Sequence, residues 1–242
     1  MTNPLFLFDY PFRVGETFRL DGDEGRHAST VKRMRKGELI DVANGLGLRA
    51  HCIVMEVGKN FVELAVEHVV QESQPVPRII AVQALAKGDR ADLALEALTE
   101  VGVDEIVPWS ATHSIVKWED PAKALQKWKR TISEATKQSR RAWTPVLHDV
   151  HSTEQVIAFL DTVDCALVLH ESAEQSIAKV NLATAQSIAL IVGPEGGISP
   201  HEIQALQQAN AEIVRMGPTV MRTSTAGAVA AVTILSRTNR WA

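Results

Sequence analysis

The chain has 242 residues, of which 45% are hydrophobic and 22% charged, and its formal net charge is −4. This composition excludes intrinsic disorder, and the acidic total excludes a protein that binds nucleic acids through its overall charge. Because no apolar stretch approaches the roughly 20 residues of a membrane span and no basic export signal opens the sequence, we predict a cytoplasmic protein without membrane contact.

The residues before position 74 predict a small β-rich domain. Runs of β-branched and aromatic residues between Gly and Asn turn signals predict five strands, over 5–8, 16–20, 37–42, 48–57 and 61–68. One helix, over about 23–34, is predicted between the second and third strands. The stiff segment 74–77 (QPVP) then marks a junction, so we predict a β-barrel or sandwich domain over residues 1–73.

After residue 78 the predicted strands alternate with predicted helices. The strands are 79–85, 105–109, 145–150, 165–170, 187–193 and 212–217, and the helices are 89–102, 121–139, 152–162, 199–210 and 224–238. Residues 189–192 (ALIV) are continuously apolar, as in a parallel strand covered on both faces. We therefore predict an α/β domain over 78–242. Cys52 and Cys165 lie in separate apolar runs and no histidine pair has zinc-site spacing, so neither a disulfide nor a metal is predicted.

Three loops that follow predicted strands are candidate binding elements, because ligands of open α/β sheets gather at the carboxyl ends of the strands. The first, 193–198 (GPEGGI), is rich in glycine and precedes a predicted capping box formed by Ser199 and Glu202. The second is 169–171 and the third is 216–227. The glycine-rich loop matches neither the dinucleotide fingerprint nor the P-loop, which disfavours phosphate binding.

Arg222, in the third loop, lies one or two residues before the predicted N-cap of the next helix, which is Thr223 or Ser224. A cation beside the positive end of a helix is unfavourable, so Arg222 indicates an anionic partner. The helix itself is nearly all small apolar residues over 226–235, and it must be buried on most sides, either within the chain or against a second subunit.

Two clusters of basic residues predict contact with a polyanion. At about 100° per residue, the cations of helix 121–139 fall on one face and its apolar residues on the opposite face. An ordinary solvated face mixes both signs of charge, whereas Glu134 is the one acid in this stripe. A second cluster lies over 26–36, and together they indicate a structured RNA held by phosphate contacts. The predicted RNA-binding residues are Arg26, Lys32, Arg33, Arg35, Lys36, Lys87, Lys123, Lys127, Arg130, Lys137, Arg140 and Arg141.

Two motifs carry a resemblance to a known family. Residues 191–199 (IVGPEGGIS) and 216–223 (MGPTVMRT) resemble the SPOUT-class methyltransferases and, among these, the ribosomal RNA small-subunit methyltransferase E family, which methylates N3 of a uridine in 16S ribosomal RNA. The resemblance extends over nearly the whole chain, with further matches at 83–89, 100–103, 137–141 and 31–37 and at His27.

The resemblance implies a PUA-like RNA-binding barrel over 1–73 and a SPOUT-type α/β domain with a C-terminal trefoil knot over 78–242. It also implies a homodimer that uses S-adenosyl-L-methionine, without a metal, and acts on the 16S rRNA of the small ribosomal subunit. The residues carried over as cofactor-binding are Leu169, His170, Glu171, Gly193, Pro194, Glu195, Gly196, Gly197, Ile198, Met216, Gly217, Pro218, Val220, Met221 and Arg222.

The catalytic candidates under this resemblance are Arg222, Glu195 and Ser224. Loss of the uracil N3 proton places negative charge on O2 or O4, which the Arg222 cation would stabilise. Glu195 or Ser224 would orient the base, and Ser224 stands where many relatives carry Glu. Two other functions stay open: a non-catalytic RNA-binding or ribosome-assembly factor, and a nucleotide-binding α/β enzyme, which the missing phosphate motifs disfavour.

Overall fold

The computed structural model describes residues 3–241, so residues 1 and 2, which begin the first predicted domain, and 242, which ends the second, lie outside it. The described chain forms two compact units: one from Met1–Gln74 with Thr136–Thr144, the other from Pro75–Ala135 with Pro145–Ala242. The sequence pattern instead predicts 136–144 as part of the second domain. These residues group with the first unit because the indole of Trp143 packs on Gly47 and Arg49 donates a hydrogen bond to the Arg140 carbonyl.

The first unit is built on a five-stranded sheet. Its elements are β1 (Leu5–Leu7), β2 (Thr17–Leu20), α1 (Gly22–Arg26), a π-helical turn (His27–Val31), β3 (Leu39–Ala43), β4 (Leu48–Gly58) and β5 (Phe61–Gln71). The strand order is β1-β3-β4-β5-β2, in which only β1 and β3 pair in parallel. Alternate residues of β5, Val62, Leu64 and Val66, point into the core, as a half-buried strand requires. The helix predicted over 23–34 is shorter, because Arg33 takes a positive φ of 53°.

The second unit is an α/β structure, which confirms the predicted fold class. Its strands are β6 (Arg78–Ala84), β7 (Glu105–Trp109), β8 (Val146–Leu147), β9 (Cys165–Leu169), β10 (Ser187–Val192) and β11 (Glu212–Val214). Its helices are α2 (Asp89–Val101), α3 (Pro121–Gln138, of which the residues from Thr136 onward group with the first unit), α4 (Thr153–Leu160), α5 (Pro200–Gln208) and α6 (Thr223–Leu235). Every pairing is parallel, in the order β11-β9-β10-β6-β7-β8.

Helices cover both faces of this sheet. Leu95 of α2, Ile132 of α3 and Ile234 of α6 join one buried cluster, and Val156 of α4 and Leu206 of α5 join the other. Residues 187–192 of β10 are all buried, which explains the unbroken apolar run over 188–192. The apolar run in this part of the sequence therefore reflects the central position of β10 in the sheet.

The two cysteines are free thiols held in apolar surroundings. Burial, followed by the charge of Asp41 and other nearby carboxylates, raises the pKa of Cys52 to about 12, and burial with the nearby Glu212 and Asp164 raises the pKa of Cys165 to about 11. Both are therefore inert at neutral pH. Over residues 3–241, none of the helices has the length and apolar character to cross a membrane, and no three His, Cys, Asp or Glu side chains are grouped to hold a metal ion.

Candidate functional site

The three candidate loops meet at one edge of the second unit. The strands β10, β9 and β11 that precede them are parallel neighbours, so their carboxyl ends lie side by side. There they enclose a cavity of about 520 Å³. It is lined by Arg90, Leu169, His170, Glu171, Val192, Gly193, Pro194, Glu195, Gly196, Gly197, Ile198, Val220, Met221, Arg222, Thr223 and Ala226.

A second, smaller cavity of about 80 Å³ shares part of this lining and extends it along the third loop. Met216 and Gly217 line only this smaller cavity. Among the candidate cofactor-binding residues, Pro218 alone lines neither of the two cavities described, and it is exposed. The sequence prediction missed Arg90, Val192, Thr223 and Ala226 in the larger cavity. Thr223 and Ala226 lie within the third predicted loop and Val192 directly precedes the first, whereas Arg90 had no sequence signal that linked it to these loops.

Glycine is required in the first loop by close contacts and by backbone conformation. A Cβ atom on Gly193 would lie 2.6 Å from Cγ1 of Ile198, and one on Gly196 would lie 3.0 Å from Cβ of His113. Gly197 takes a φ of +77°, which L side chains rarely adopt, and its amide donates a 2.9 Å hydrogen bond to the Pro194 carbonyl. The loop thus folds tightly, and its glycines present main-chain groups rather than side chains to the cavity.

The helix after this loop begins at the capping box that the sequence predicted. Ser199 accepts a hydrogen bond from the Glu202 amide, and the Glu202 carboxylate accepts one from the Ser199 amide. Glu202 is 1% exposed, and its other oxygen accepts hydrogen bonds from the Thr112 amide and the Thr153 hydroxyl, each at 2.9 Å. Burial opposes its ionisation, but these hydrogen bonds together lower the pKa of Glu202. The buried carboxylate therefore fixes the far end of the glycine-rich loop.

The third loop reaches the cavity floor through Thr223. The Thr223 hydroxyl donates a 2.5 Å hydrogen bond to the Gly193 carbonyl and accepts one of 3.2 Å from Nε2 of Gln83, which is 1% exposed. This chain of hydrogen bonds joins the first and third loops beneath the cavity.

The start of α6 differs from the prediction. Arg222, rather than Thr223 or Ser224, is the N-cap residue, and its side chain makes no capping hydrogen bond. Ser224 is 3% exposed and lies outside the lining of either described cavity. Because α6 begins at Thr223, its next residue turns about 100° away from the cavity. We therefore do not keep Ser224 as a catalytic candidate.

Two arginines border the cavity. Nη1 of Arg90 lies 3.3 Å from Oε1 of Glu195, so these two side chains form an ion pair across the lining. The Arg222 side chain is exposed, and no described acid pairs with it. The cavity border therefore presents one unpaired cation beside a neutralised pair, which suits an acceptor that develops negative charge.

The basic clusters keep most of their predicted surface positions. The exposed members are Arg26, Lys32, Arg33, Arg35, Lys36, Lys87, Lys123, Lys127, Arg130 and Arg140, and Arg141 is half-buried. The opposite side of α3 is buried through Trp128, Ile132 and Ala135, as its periodicity predicted.

Lys137 departs from the predicted stripe. Its side chain is 9% exposed, and its ammonium group lies 2.6 Å from Oε1 of Glu24 in the first unit. A charge this deeply buried must be paired, so Lys137 stabilises the first unit and is withdrawn from the RNA-binding candidates.

Comparison with known proteins gives consistent matches along the chain. The family model described as an RNA methyltransferase domain matches residues 72–236, and one described as an RNA methyltransferase PUA domain matches residues 20–67. Two relatives are named ribosomal RNA small subunit methyltransferase E. The one from Mycobacterium bovis is 39% identical over 100% of this chain and 94% of its own length. The one from Bacillus subtilis is 30% identical over 87% of this chain and 86% of its own.

Solved structures show the same similarity. The ribosomal RNA small subunit methyltransferase E from Neisseria gonorrhoeae, bound to S-adenosyl methionine, has a TM-score of 0.88 and 26% identity over 98% of both chains. A protein from Legionella pneumophila, in complex with the bound cofactor SAM, has a TM-score of 0.90 and 26% identity, again over 98% of both chains. The sequence comparison and the structure comparison therefore find the same group of similar proteins.

Proposed function

Because the chain belongs to the ribosomal RNA small subunit methyltransferase E family, we propose that it transfers a methyl group from S-adenosylmethionine to N3 of a uridine in 16S rRNA. The observation that carries this proposal is the glycine-lined cavity at the edge where β9, β10 and β11 end. The gonococcal relative of similar fold was solved with S-adenosyl methionine bound. An rRNA substrate implies that the protein acts in the cytoplasm on the small ribosomal subunit.

The residues present fit an adenosyl group. The cavity volume of about 520 Å³ lies in the range of small-molecule sites. Leu169 and Ile198 offer apolar surface to a purine, and the loop at 193–197 offers amide and carbonyl groups that its missing side chains leave accessible. The ribose and adenine would thus be held mainly by backbone of the first and third loops, with the floor fixed by Thr223.

When bound, S-adenosylmethionine supplies a methyl group on a positively charged sulfur that is already reactive. The protein's own task is to align the acceptor and to stabilise the charge that develops on it. Loss of the N3 proton to solvent leaves negative charge spread over N3, O2 and O4. This charge is consumed as N3 bonds to the methyl carbon and the bond from that carbon to sulfur breaks. The exposed guanidinium of Arg222 at the cavity border provides the cation for those oxygens.

Glu195 is the second side chain proposed to act on the acceptor. Its carboxylate lines the cavity and accepts a hydrogen bond from Arg90. The one N–H donor of the uracil ring in a uridine is N3–H, so a carboxylate in this position orients the ring by accepting a hydrogen bond from N3–H before that proton is lost. Ser224 has no such access, so the acceptor is aligned by Arg222 and Glu195 alone among the three catalytic candidates.

We also propose that the protein acts as a homodimer, as the family resemblance implies. Exposed apolar side chains, including Leu93 and Val229, lie on α2 and α6, which pack against each other. Burying them against a second copy would remove apolar surface from water. Sedimentation velocity is expected to give twice the chain mass of 26.5 kDa, and a monomer at micromolar concentration would contradict this proposal.

A methyl-transfer assay tests the function. The protein is incubated with S-adenosylmethionine carrying a labelled methyl group and with small ribosomal subunits or naked 16S rRNA that lack the modification. We expect label in 16S rRNA, recovered after nuclease digestion as 3-methyluridine. No label would favour the non-catalytic RNA-binding factor, and label on uracil C5 or on ribose would contradict the proposed chemistry.

Reversing the charge of Lys127 and Arg130 tests the RNA-binding face of α3. We expect Lys127→Glu with Arg130→Glu to weaken RNA binding and to reduce the slope of log affinity against log salt by about 2, because each lost phosphate contact removes nearly one counterion. Filter binding over a salt series measures both quantities. The control is Lys117→Glu with Lys179→Glu, which makes the same change in charge at exposed residues outside the predicted RNA-binding set. An equal effect in both double variants would assign the loss to overall charge rather than to this face.

A further inference from the structure

Arg90 is a charged residue of the cavity that none of the sequence motifs assigned. It is the second residue of α2, and its side chain is 48% exposed while also lining the cavity. A guanidinium carries five N–H donors. Glu195 accepts one of them at 3.3 Å, and no other described residue accepts a hydrogen bond from Arg90. Most of its donors are therefore available to a ligand at the cavity border.

The first turn of α2 lies between the cavity and the cationic face of α3. Asp92 is two residues beyond Arg90, about 200° around the helix, and so faces the other way. Its carboxylate is 2.7 Å from Nζ of Lys127 and also lies within 3.5 Å of the Thr131 hydroxyl. An RNA strand that follows Lys127 and Arg130 would cross this turn to reach the cavity, and Arg90 is the cation on the cavity side.

A purely structural role for the Arg90–Glu195 pair is disfavoured. The glycine-rich loop that carries Glu195 is already fixed by the Gly197–Pro194 hydrogen bond and by the buried Glu202 carboxylate. The ion pair joins a half-exposed Arg90 to Glu195 at 3.3 Å. A pair of this kind adds little stability to such a loop, and the arginine can exchange the carboxylate for another anion. A phosphate offers the same bidentate geometry as a carboxylate.

We propose that Arg90 is an acceptor-positioning residue: it binds a backbone phosphate next to the nucleotide that enters the cavity, and it exchanges Glu195 for that phosphate. The exchange releases the Glu195 carboxylate toward the base. The inference rests on the proposed function, because it takes RNA as the ligand and the 520 Å³ cavity as the place of methyl transfer. On this proposal, the binding of RNA frees the Glu195 carboxylate to align the base.

The test compares Arg90→Ala, Arg90→Lys and Glu195→Gln in the full-length protein. With unmodified 16S rRNA as the probe, Arg90→Ala is expected to raise the RNA dissociation constant about tenfold and to lower the salt slope by about 1. Arg90→Lys keeps the charge and is expected to keep the salt slope while losing part of the affinity. Glu195→Gln removes the carboxylate that competes with the phosphate for Arg90, so this variant is expected to bind RNA more tightly.

Two controls accompany these variants. The affinity for S-adenosylmethionine is expected to stay unchanged in Arg90→Ala, and Lys179→Ala, which removes a cation at an exposed site, is expected to leave RNA binding unchanged.

RNA binding is measured without methyl transfer, so the two proposals can fail separately. If the wild-type protein methylates RNA but Arg90→Ala binds it with unchanged affinity and salt slope, the role of Arg90 is overturned and the function stands. The role of Arg90 is also overturned if Arg90→Ala weakens only the binding of the cofactor, or if Glu195→Gln weakens RNA binding. If the wild-type protein binds RNA through Arg90 without methylating it, the proposed function fails and the phosphate contact stands.

Discussion

Replacing Arg222 by alanine is expected to lower the rate constant of methyl transfer by about 10²–10³-fold, the usual effect of removing one preorganised group that stabilises transition-state charge. The Arg222 side chain is exposed at the cavity border, so its loss leaves the buried start of α6 intact. The thermal midpoint and the affinity for S-adenosylmethionine should therefore stay close to those of the wild-type protein. Single-turnover transfer of labelled methyl groups at saturating RNA measures the effect.

Two further variants make this prediction specific. Arg222→Lys retains the charge without the planar guanidinium and should recover part of the rate. Lys59→Ala removes an exposed cation from the first unit and should leave the rate unchanged. A rate for Arg222→Ala within a few-fold of the wild-type value would remove Arg222 from the chemistry.

Replacing Glu202 by glutamine is expected to lower the free energy of unfolding by about 2–3 kcal/mol at neutral pH, because buried hydrogen-bond donors lose their charged acceptor. The effect depends on pH with a definite sign. The pKa of Glu202 is lowered in the folded protein, so the stabilisation is present above the ordinary Glu value of 4.5 and is lost as the pH falls through the folded pKa. The difference between wild type and variant should therefore shrink below about pH 4.5.

Urea unfolding at pH 7.5 and at pH 4 measures this difference. Glu174→Gln is the matched control, since it removes an exposed carboxylate and should have no measurable effect. A Glu202→Gln variant as stable as the wild-type protein at pH 7.5 would contradict the role of this carboxylate as the anchor of the glycine-rich loop. So would a loss of stability that is the same at both pH values.

Local patterns in the sequence were sufficient to predict most elements of the fold. The unbroken apolar run of β10 and the Ser199–Glu202 capping box are set by neighbouring residues, and both are confirmed. The length of β8 was predicted less well: the predicted strand was 145–150, but only Val146 and Leu147 pair with β7. The three loops could be proposed from their positions after strands. Their meeting depends on the adjacency of β11, β9 and β10, which the order of elements along the chain does not reveal.

The remaining differences between the predictions and the structure come from contacts between residues that are far apart in the sequence. The angle count placed Lys137 on the cationic face of α3, but its ammonium group pairs with Glu24, 113 positions earlier, within the first unit. Arg90 and Glu195 are similarly separated by 105 positions and meet at the cavity. Thr223 was considered as a helix cap, yet its hydroxyl bonds to the Gly193 carbonyl instead. Helical periodicity and capping rules describe only local geometry, so they gave no signal for these pairs.

The most direct measurement of cofactor binding is a calorimetric titration of the purified protein with S-adenosylmethionine. If the glycine-lined bends at the end of β9, β10 and β11 hold the adenosyl group, the heat will saturate with the cofactor and methionine alone will give none. Absence of saturable heat with a folded protein would contradict the assignment of this cavity to the cofactor, on which the proposed methyl transfer depends.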